Sequence, residues 1–184
     1  MRKLIAAINV TLDGFCDHTA MIADEEMHQH YNELLSNAGA ILYGRITYQL
    51  MESYWPTVVE KPTGNKPMDD FAVIIQDIPK IVFSQTLSNV QWKNVQLASG
   101  DIEEEVLELK QQPGKDVLVG SPSLIASATK LGLVDEYQLC VHPVIAGSGL
   151  PLFKGIDDKT ILKLSEAKTF GSGAIMLNYR PAIG

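Results

Sequence analysis

Cysteine is nearly absent from this sequence of 184 residues, which contains only Cys16 and Cys140. Two cysteines cannot form a disulfide framework, and these two lack the close spacing of a zinc knuckle or a redox pair. We therefore expect a protein that works in the reducing cytoplasm and carries no structural metal.

Positive charge is also scarce. Acidic residues outnumber basic residues 22 to 15, the formal net charge is -7, and only three arginines occur, namely Arg2, Arg45 and Arg180. Nucleic acid binding needs a basic surface that replaces phosphate counterions, so nucleic acid is excluded as the main partner. An anionic ligand would have to be held locally, by helix N-termini and single cations.

Long apolar runs are missing as well. No run approaches the roughly 20 residues that a membrane-spanning helix needs, so no membrane partner is expected. The N-terminal apolar stretch breaks at Asn9 and continues to Asp13 without the small-residue cleavage pattern of a signal peptide. We interpret this stretch as a buried strand.

Strands and helices alternate along most of the chain. Apolar runs predict strands at 4–10, 40–43, 81–84, 95–97, 117–119, 137–145, 162–170 and 174–180. Helical periodicity follows Asp24 until Gly39, begins again at Arg45, and recurs at 68–77, from Asp101 and at 121–131. Three prolines between Ser53 and Pro67 predict a long surface loop. The pattern predicts one three-layer αβα domain over 1–184, with a mixed, mostly parallel sheet of about eight strands and an antiparallel C-terminal hairpin.

Two junctions join a strand to a helix directly through glycine, at Gly44-Arg45 and at Gly120-Ser121. Glycine allows a ligand to approach the backbone closely, and the first N–H groups of a helix attract phosphate. Two such junctions are suited to a dinucleotide, and Arg45 stands where an anion would bind. The alternative interpretation of each junction is an ordinary strand-to-helix connection.

Several segments resemble the dihydrofolate reductase superfamily, in the branch of the reductase domain of the bifunctional riboflavin-biosynthesis deaminase-reductase. The matching segments are Thr11-Leu12-Asp13-Gly14-Phe15, Gly44-Arg45-Ile46-Thr47-Tyr48, Lys80 to Leu87, Gly132-Leu133-Val134-Asp135-Glu136, and Pro143-Val144 through Gly147-Ser148-Gly149-Leu150-Pro151-Leu152-Phe153. Each segment alone is weak evidence, but they occur in the family's order over most of the chain.

The resemblance implies a homodimeric, NADPH-dependent reductase that transfers a hydride to a pterin-like or ribosylaminopyrimidine-like substrate. It assigns cofactor phosphate to Gly44, Arg45 and Thr47, the adenosine 2'-phosphate region to Ser84, Gln85 and Thr86, and the pyrophosphate and nicotinamide to Gly120, Ser121 and Leu124. Asp13 would face the nicotinamide and the substrate. Two residues depart from the family pattern, since Gln85 replaces a residue that is often basic and Ser121 replaces a glycine.

The proton donor is sought on the first helix, where dihydrofolate reductases carry a carboxylate. A gapless count back from Gly44 leads to His28, with Asp24 one turn earlier on the same face. Asp24 has the alternative role of helix N-cap, and His28 that of a partly buried histidine with a local hydrogen bond. The missing acid favours a riboflavin-pathway-like substrate over dihydrofolate. A rival interpretation is a nucleotide-binding or interaction protein that lost the chemistry.

Overall fold

A central sheet of eight strands organises the computed structural model, which describes residues 1–182. Its strands are β1 (Leu4–Thr11), β2 (Ala38–Gly44), β3 (Lys80–Phe83), β4 (Val95–Leu97), β5 (Asp116–Val119), β6 (Glu136–His142), β7 (Leu162–Thr169) and β8 (Ile175–Pro181). Their spatial order is β4-β3-β2-β5-β1-β6-β8-β7. Strand β8 runs antiparallel to β6 and β7, and the other neighbouring pairs are parallel. This architecture confirms the predicted fold class.

Helices cover both faces of the sheet. They are α1 (Glu25–Ser36), α2 (Arg45–Glu60), α3 (Lys66–Asp77), α4 (Ile102–Gln111) and α5 (Pro122–Lys130), with a short 3-10 helix at His18–Ala20. No helix among the described residues combines the length and the apolar composition that crossing a membrane requires.

Alternate residues of the central strands supply two cores, one on each face. Leu4 and Ala6 of β1 pack with residues of α4 and α5, whereas Ile5 between them packs with residues of α1, α2 and α3. Successive side chains of a strand point to opposite faces, so a buried central strand reads as a continuous apolar run. This alternation is what makes the domain three-layered.

Helix α2 corrects the prediction of a loop between Ser53 and Pro67, because the helix continues to Glu60 with Pro56 inside it. A proline in a helix interior costs about 3 kcal/mol. Met51 and Trp55 pack into the core under α1 to α3, and Val58, three residues after Trp55, is also buried. Burial of such side chains stabilises by roughly 1.5–3 kcal/mol each, which exceeds the cost of the proline.

Gly39 corrects a second prediction, since it lies inside β2 and does not end α1. Helix α1 ends at Ser36, and Asn37 caps it by donating its backbone N–H to the carbonyls of Glu33 and Leu35. A Cβ atom at position 39 would lie 2.7 Å from Nη2 of Arg2 and 3.0 Å from the carbonyl oxygen of Lys115. The glycine therefore serves close packing against the N-terminus and not helix termination.

Strand β6 ends earlier than predicted, at His142 and not at Ile145. Pro143 follows directly and has no N–H to donate to a neighbouring strand, which explains the end of the pairing. The chain then turns toward the segment after β1, where the Leu12 N–H donates to the Val144 carbonyl at 2.8 Å.

Candidate functional site

The two glycine junctions lie side by side at one edge of the sheet. Strands β2 and β5 are parallel neighbours, with Leu42 opposite Val119, so Gly44 and Gly120 follow adjacent strand ends. On the other side of β2, Gly44 is paired with Phe83, so Ser84 also begins its loop at this edge. Helices α2 and α5 both begin here, which brings two helix N-termini together.

A hydrogen bond joins the two junctions directly. The Gly44 N–H donates to Oγ of Ser121 at 2.8 Å, and Ser121 is fully buried. A Cβ atom at position 44 would lie 3.3 Å from Oγ of Ser123. The serine that replaces the family's glycine therefore connects the start of α2 to the start of α5.

Helices α2 and α5 differ from the other three α-helices in their capping. Asp24, Asn65 and Asp101 accept hydrogen bonds from first-turn N–H groups of α1, α3 and α4. Neither Gly44 nor Ser121 makes a side-chain cap on its own helix. The first-turn N–H groups of α2 and α5 are consequently left for water or for an anionic ligand, and the positive ends of both helix dipoles face the same edge.

Gly120 is held by tight packing. A Cβ atom there would lie 3.2 Å from Cε1 of Tyr43 and 3.6 Å from Cδ1 of Ile41. Neither Gly120 nor Ser121 has a positive φ, so residues other than glycine could adopt the backbone conformation at both positions. The absence of a side chain at position 120 is therefore required by space and not by backbone conformation.

The other residues assigned to the cofactor occupy different environments. Arg45 is exposed on the first turn of α2, where Nη1 donates to Oε1 of Gln49 at 3.3 Å. Thr47 lines a cavity described below. Leu124 is instead buried in the core beneath α5 and does not line that cavity.

The loop after β3 carries the residues assigned to the 2'-phosphate region. Oγ of Ser84 accepts hydrogen bonds from the N–H groups of Thr86 and Leu87, at 3.2 and 3.0 Å. Gln85 and Thr86 are exposed. The loop is thus a small turn held by Ser84 that presents two neutral polar side chains to solvent.

A cavity of about 480 Å³ lies beside the junctions, between the sheet and helices α1, α2 and α3. Most of its lining is apolar or aromatic and includes Met27, Leu50, Met51, Tyr54, Trp55, Met68 and Phe71. The rings of Trp55 and Phe71 pack with their centroids 4.4 Å apart. Within residues 1–182, no Lys, Arg, Asp or Glu lines this cavity, and its histidines are His18 and His28.

Asn9 of β1 places a hydrogen-bonded polar group on the sheet side of the cavity. Oδ1 of Asn9 accepts a hydrogen bond from the Tyr31 hydroxyl at 3.1 Å and is 3.0 Å from Nε2 of His142. The Ile22 N–H donates to Nδ1 of His142 at 3.1 Å, so the proton of this neutral ring is on Nε2, which donates to Asn9. Burial holds the pKa of His142 below its ordinary value of 6.5.

The two predicted carboxylates are engaged in structural bonds. Asp13 accepts from the Thr11 hydroxyl at 2.6 Å and from the N–H groups of Ala146 and Gly147 at 3.1 and 2.7 Å. These bonds, first of all that from Thr11, lower the pKa of Asp13 to about 2. It therefore ties the loop after β1 to the turn after β6.

Asp24 serves as the N-cap of α1, which was the alternative interpretation of this residue. Its Oδ1 accepts from the Met27 N–H at 2.8 Å, and its Oδ2 accepts from the Ser172 N–H in the β7–β8 hairpin at 2.7 Å. The pKa of Asp24 is lowered because these hydrogen bonds outweigh the opposing effect of desolvation.

His28 lies at the cavity wall, partly buried, with Nδ1 3.0 Å from the backbone oxygen of Asp24. A carbonyl oxygen only accepts, so Nδ1 carries the proton in this contact and Nε2 is the nitrogen that can exchange protons with a ligand or with water. Of the three residues predicted to be catalytic, His28 is the one whose side chain lines the cavity.

Sequence reasoning missed Asn9, Tyr31 and His142 as a group. Asn9 was visible as the one polar residue in an apolar strand, which is a usable signal. Trp55 was missed for a different reason, because the prolines around it predicted a loop where α2 in fact continues.

Comparison with known proteins identifies structures that share this fold and the family to which the chain belongs. The fold is shared with a candidate riboflavin biosynthesis protein from Shewanella sp. PV-4 (TM-score 0.75, 18% identity, 98% of this chain and 99% of that one). It is also shared with a diaminohydroxyphosphoribosylaminopyrimidine deaminase/5-amino-6-(5-phosphoribosylamino)uracil reductase from Thermotoga maritima (TM-score 0.69, 20% identity, 98% of this chain and 57% of that one). The fold is that of a RibD-type reductase-like domain. The chain belongs to the RibD C-terminal domain family, whose model matches residues 2–176.

Within the curated proteins, this chain is similar to the uncharacterized protein YyaP of Bacillus subtilis strain 168, with 35% identity over 97% of this chain and 94% of that protein. The uncharacterized protein YwjB of the same organism is 27% identical over 97% of each chain. These similarities extend over nearly the full length and name no substrate.

Proposed function

We propose that the protein is a cytoplasmic, NADPH-dependent reductase that transfers a hydride to a flat heterocycle of the pterin or aminopyrimidine type. One observation carries the proposal above the others: helices α2 and α5 both start without a side-chain cap at adjacent strand ends, and Thr47 and Gly120 beside these starts line an aromatic-rich cavity. The family supports a reductase, and its members typically use NADPH.

The residues at the junctions fit a phosphate-rich cofactor. The first-turn N–H groups of α2 and α5 would bind its pyrophosphate, and Arg45 would swing from Gln49 to a phosphate oxygen. Gln85 and Thr86 would contact the adenosine 2'-phosphate through neutral hydrogen bonds. The bound cofactor would supply the hydride, and the protein's part is to position the ring and exclude water.

Hydride transfer to a heterocycle also requires a proton at the neighbouring ring atom. Asp13 and Asp24 remain ionised at neutral pH, because hydrogen bonds lower the pKa of each carboxyl. They have no proton to give. We assign proton delivery to His28 at the cavity wall: its ring would take a proton from solvent on Nε2 and pass that proton to the heterocycle, directly or through one water molecule.

Replacement of Arg45 tests the cofactor site. We expect Arg45→Ala to raise the NADPH dissociation constant by roughly tenfold to a hundredfold, since a hydrogen bond to a charged group contributes about 1.5–3 kcal/mol. Arg180→Ala is the matched control, because it removes the same charge from an exposed position near the end of β8. Calorimetric titration of both variants decides the assignment, which is rejected if their affinities are equal.

Turnover tests the reaction itself. Oxidation of NADPH, followed at 340 nm against a panel of pterins and aminopyrimidines, is expected with at least one compound and to fall in His28→Ala. Binding of NADPH with no turnover on any compound would instead support a non-catalytic nucleotide-binding protein. The structural observation behind this second candidate is that both predicted carboxylates are already engaged.

True dihydrofolate reduction is the less favoured reaction. The ring of dihydrofolate is held by a carboxylate on the first helix in the enzymes that this chain resembles. Here the cavity wall formed by the described residues contains no carboxylate. We therefore expect little or no dihydrofolate-dependent oxidation of NADPH.

A homodimer is proposed from the family resemblance and from the exposure of β7, the last strand on one side of the sheet. Strand β7 is an edge strand of eight residues, and Ile161, Leu164 and Ile175 near it are exposed. A long exposed edge strand has unpaired backbone groups, and proteins usually cover such a strand or prevent it from pairing with other chains. Light scattering should give twice the monomer mass. Leu164→Glu should shift the protein toward monomer, whereas Leu107→Glu, at an exposed position of α4, should not.

A further inference from the structure

The cavity wall formed by residues 1–182 contains no Lys, Arg, Asp or Glu, although the uracil reductase from Thermotoga maritima is named for a phosphorylated substrate. The cavity wall, as far as the structure describes it, therefore contributes no Lys or Arg that could bind a phosphate. Burying a charge without a partner is expensive, and the net charge of -7 offers no general attraction for an anion. A phosphoribosyl group would therefore find no Lys or Arg partner in the part of the cavity wall that the structure describes.

Asn9 has a fixed orientation in the cavity wall. Because the Ile22 N–H donates to Nδ1 of His142, Nε2 of His142 carries the proton and must face an acceptor. This places Oδ1 of Asn9, and not Nδ2, toward His142, and the Tyr31 hydroxyl donates to the same oxygen. With both lone pairs of Oδ1 occupied, the remaining polar atom of Asn9 is Nδ2, which can only donate.

The rest of the cavity is suited to a flat ring. Trp55 and Phe71 supply aromatic faces, and Met27, Met51 and Met68 supply flexible apolar side chains that adapt to the outline of a ligand. A planar compound would bury apolar area here and keep one polar edge toward Asn9.

We infer that this cavity selects an uncharged, phosphate-free planar heterocycle and that the Asn9 amide recognises a carbonyl oxygen or ring nitrogen on it. The inference deepens the proposed function, because it narrows the substrate of that same site. It rests on the neutral wall and on the oriented hydrogen-bond network, both of which can be tested without cofactor.

Binding of three probes tests the inference, with Trp55 fluorescence as the readout in a Trp92→Phe background that removes the other tryptophan. The probes are lumazine, which is a neutral ring with two carbonyl groups, and the matched pair of 5-amino-6-ribosylaminouracil and its 5'-phosphate. We expect lumazine to bind at least tenfold more tightly than the phosphate, and the phosphate to bind no more tightly than its phosphate-free counterpart. Tighter binding of the phosphate, or no binding of any probe, would overturn the inference.

Asn9→Asp tests the direction of the hydrogen bond. One carboxylate oxygen of the aspartate can still accept hydrogen bonds from Tyr31 and His142. The second oxygen then faces the cavity as an acceptor, where Nδ2 of the asparagine was a donor. Lumazine should then bind roughly tenfold more weakly or worse, whereas 2,4-diaminopyrimidine should bind more tightly than to the parent protein. Unchanged selectivity would refute the role of Asn9.

Two further measurements keep the test decisive. If Asn9→Asp does not fold, Tyr31→Phe removes one of the two donors that orient the amide and should weaken lumazine binding severalfold without changing the affinity for NADPH. If the probes bind as expected but no NADPH is oxidised, the proposed reductase function fails while the inference about the cavity stands.

Discussion

The hydrogen bond between Gly44 and Ser121 allows a sharp test of how the two junctions are held together. Ser121→Ala removes the acceptor at 2.8 Å from the Gly44 nitrogen while leaving the fold otherwise unchanged. An unsatisfied N–H that is only partly shielded from water costs about 1–2 kcal/mol. For a chain of this length, that loss corresponds to a fall in Tm of about 2–8 °C.

Ser123→Ala is the matched control for this variant. It makes the same chemical change two residues further along α5, on an exposed side chain. Thermal and urea unfolding of the two variants and the parent protein should show a loss of stability for Ser121→Ala and almost none for Ser123→Ala. Equal stability of the two variants would refute the conclusion that Ser121 joins the helix starts.

Three other predictions concern stability. Gly120→Ala should lower the free energy of unfolding by about 1–3 kcal/mol in urea titrations, because the added Cβ would lie 3.2 Å from the Tyr43 ring; an unchanged midpoint would show that the ring moves freely. Burial lowers the pKa of His142, so below a pH of about 6.5 this residue takes up a proton more readily in the unfolded chain than in the folded one. The free energy of unfolding should therefore fall as the pH falls below that value, and it should fall less in His142→Gln. The stability that Asp13 contributes should be complete above its ordinary pKa of 3.8 and be lost as the pH falls toward 2, a dependence that Asp13→Asn should reduce in acid titrations.

The junctions could be predicted because their signals are local. A glycine after an apolar run and a proline at the first helical position, as in Gly120-Ser121-Pro122, specify a strand end and a helix start within a few residues. The N-cap role of Asp24 follows from the same kind of local chemistry. The parallel sheet then puts both junctions at the same edge, whereas the strand order that makes β2 and β5 neighbours is not visible in the sequence.

The hydrogen-bond network around Asn9 could not be predicted in the same way. Asn9 and His142 lie on neighbouring strands but are 133 residues apart in sequence, so only the strand order brings them together. The length of α2 was missed because the local cost of Pro56 was visible in the sequence, whereas the burial of Trp55 against α3 and the sheet was not.

The missing caps on α2 and α5 have a consequence for the free protein. In the absence of a bound anion, the amide protons of these first turns have only solvent as a partner and should exchange rapidly with deuterium. A ligand that takes over the capping role would protect them and would add its binding free energy to the stability of the folded state, about 2.7 kcal/mol at a hundred times its Kd. The start of each helix would then be completed by the ligand, so that occupancy of the site and rigidity of this edge of the sheet rise together.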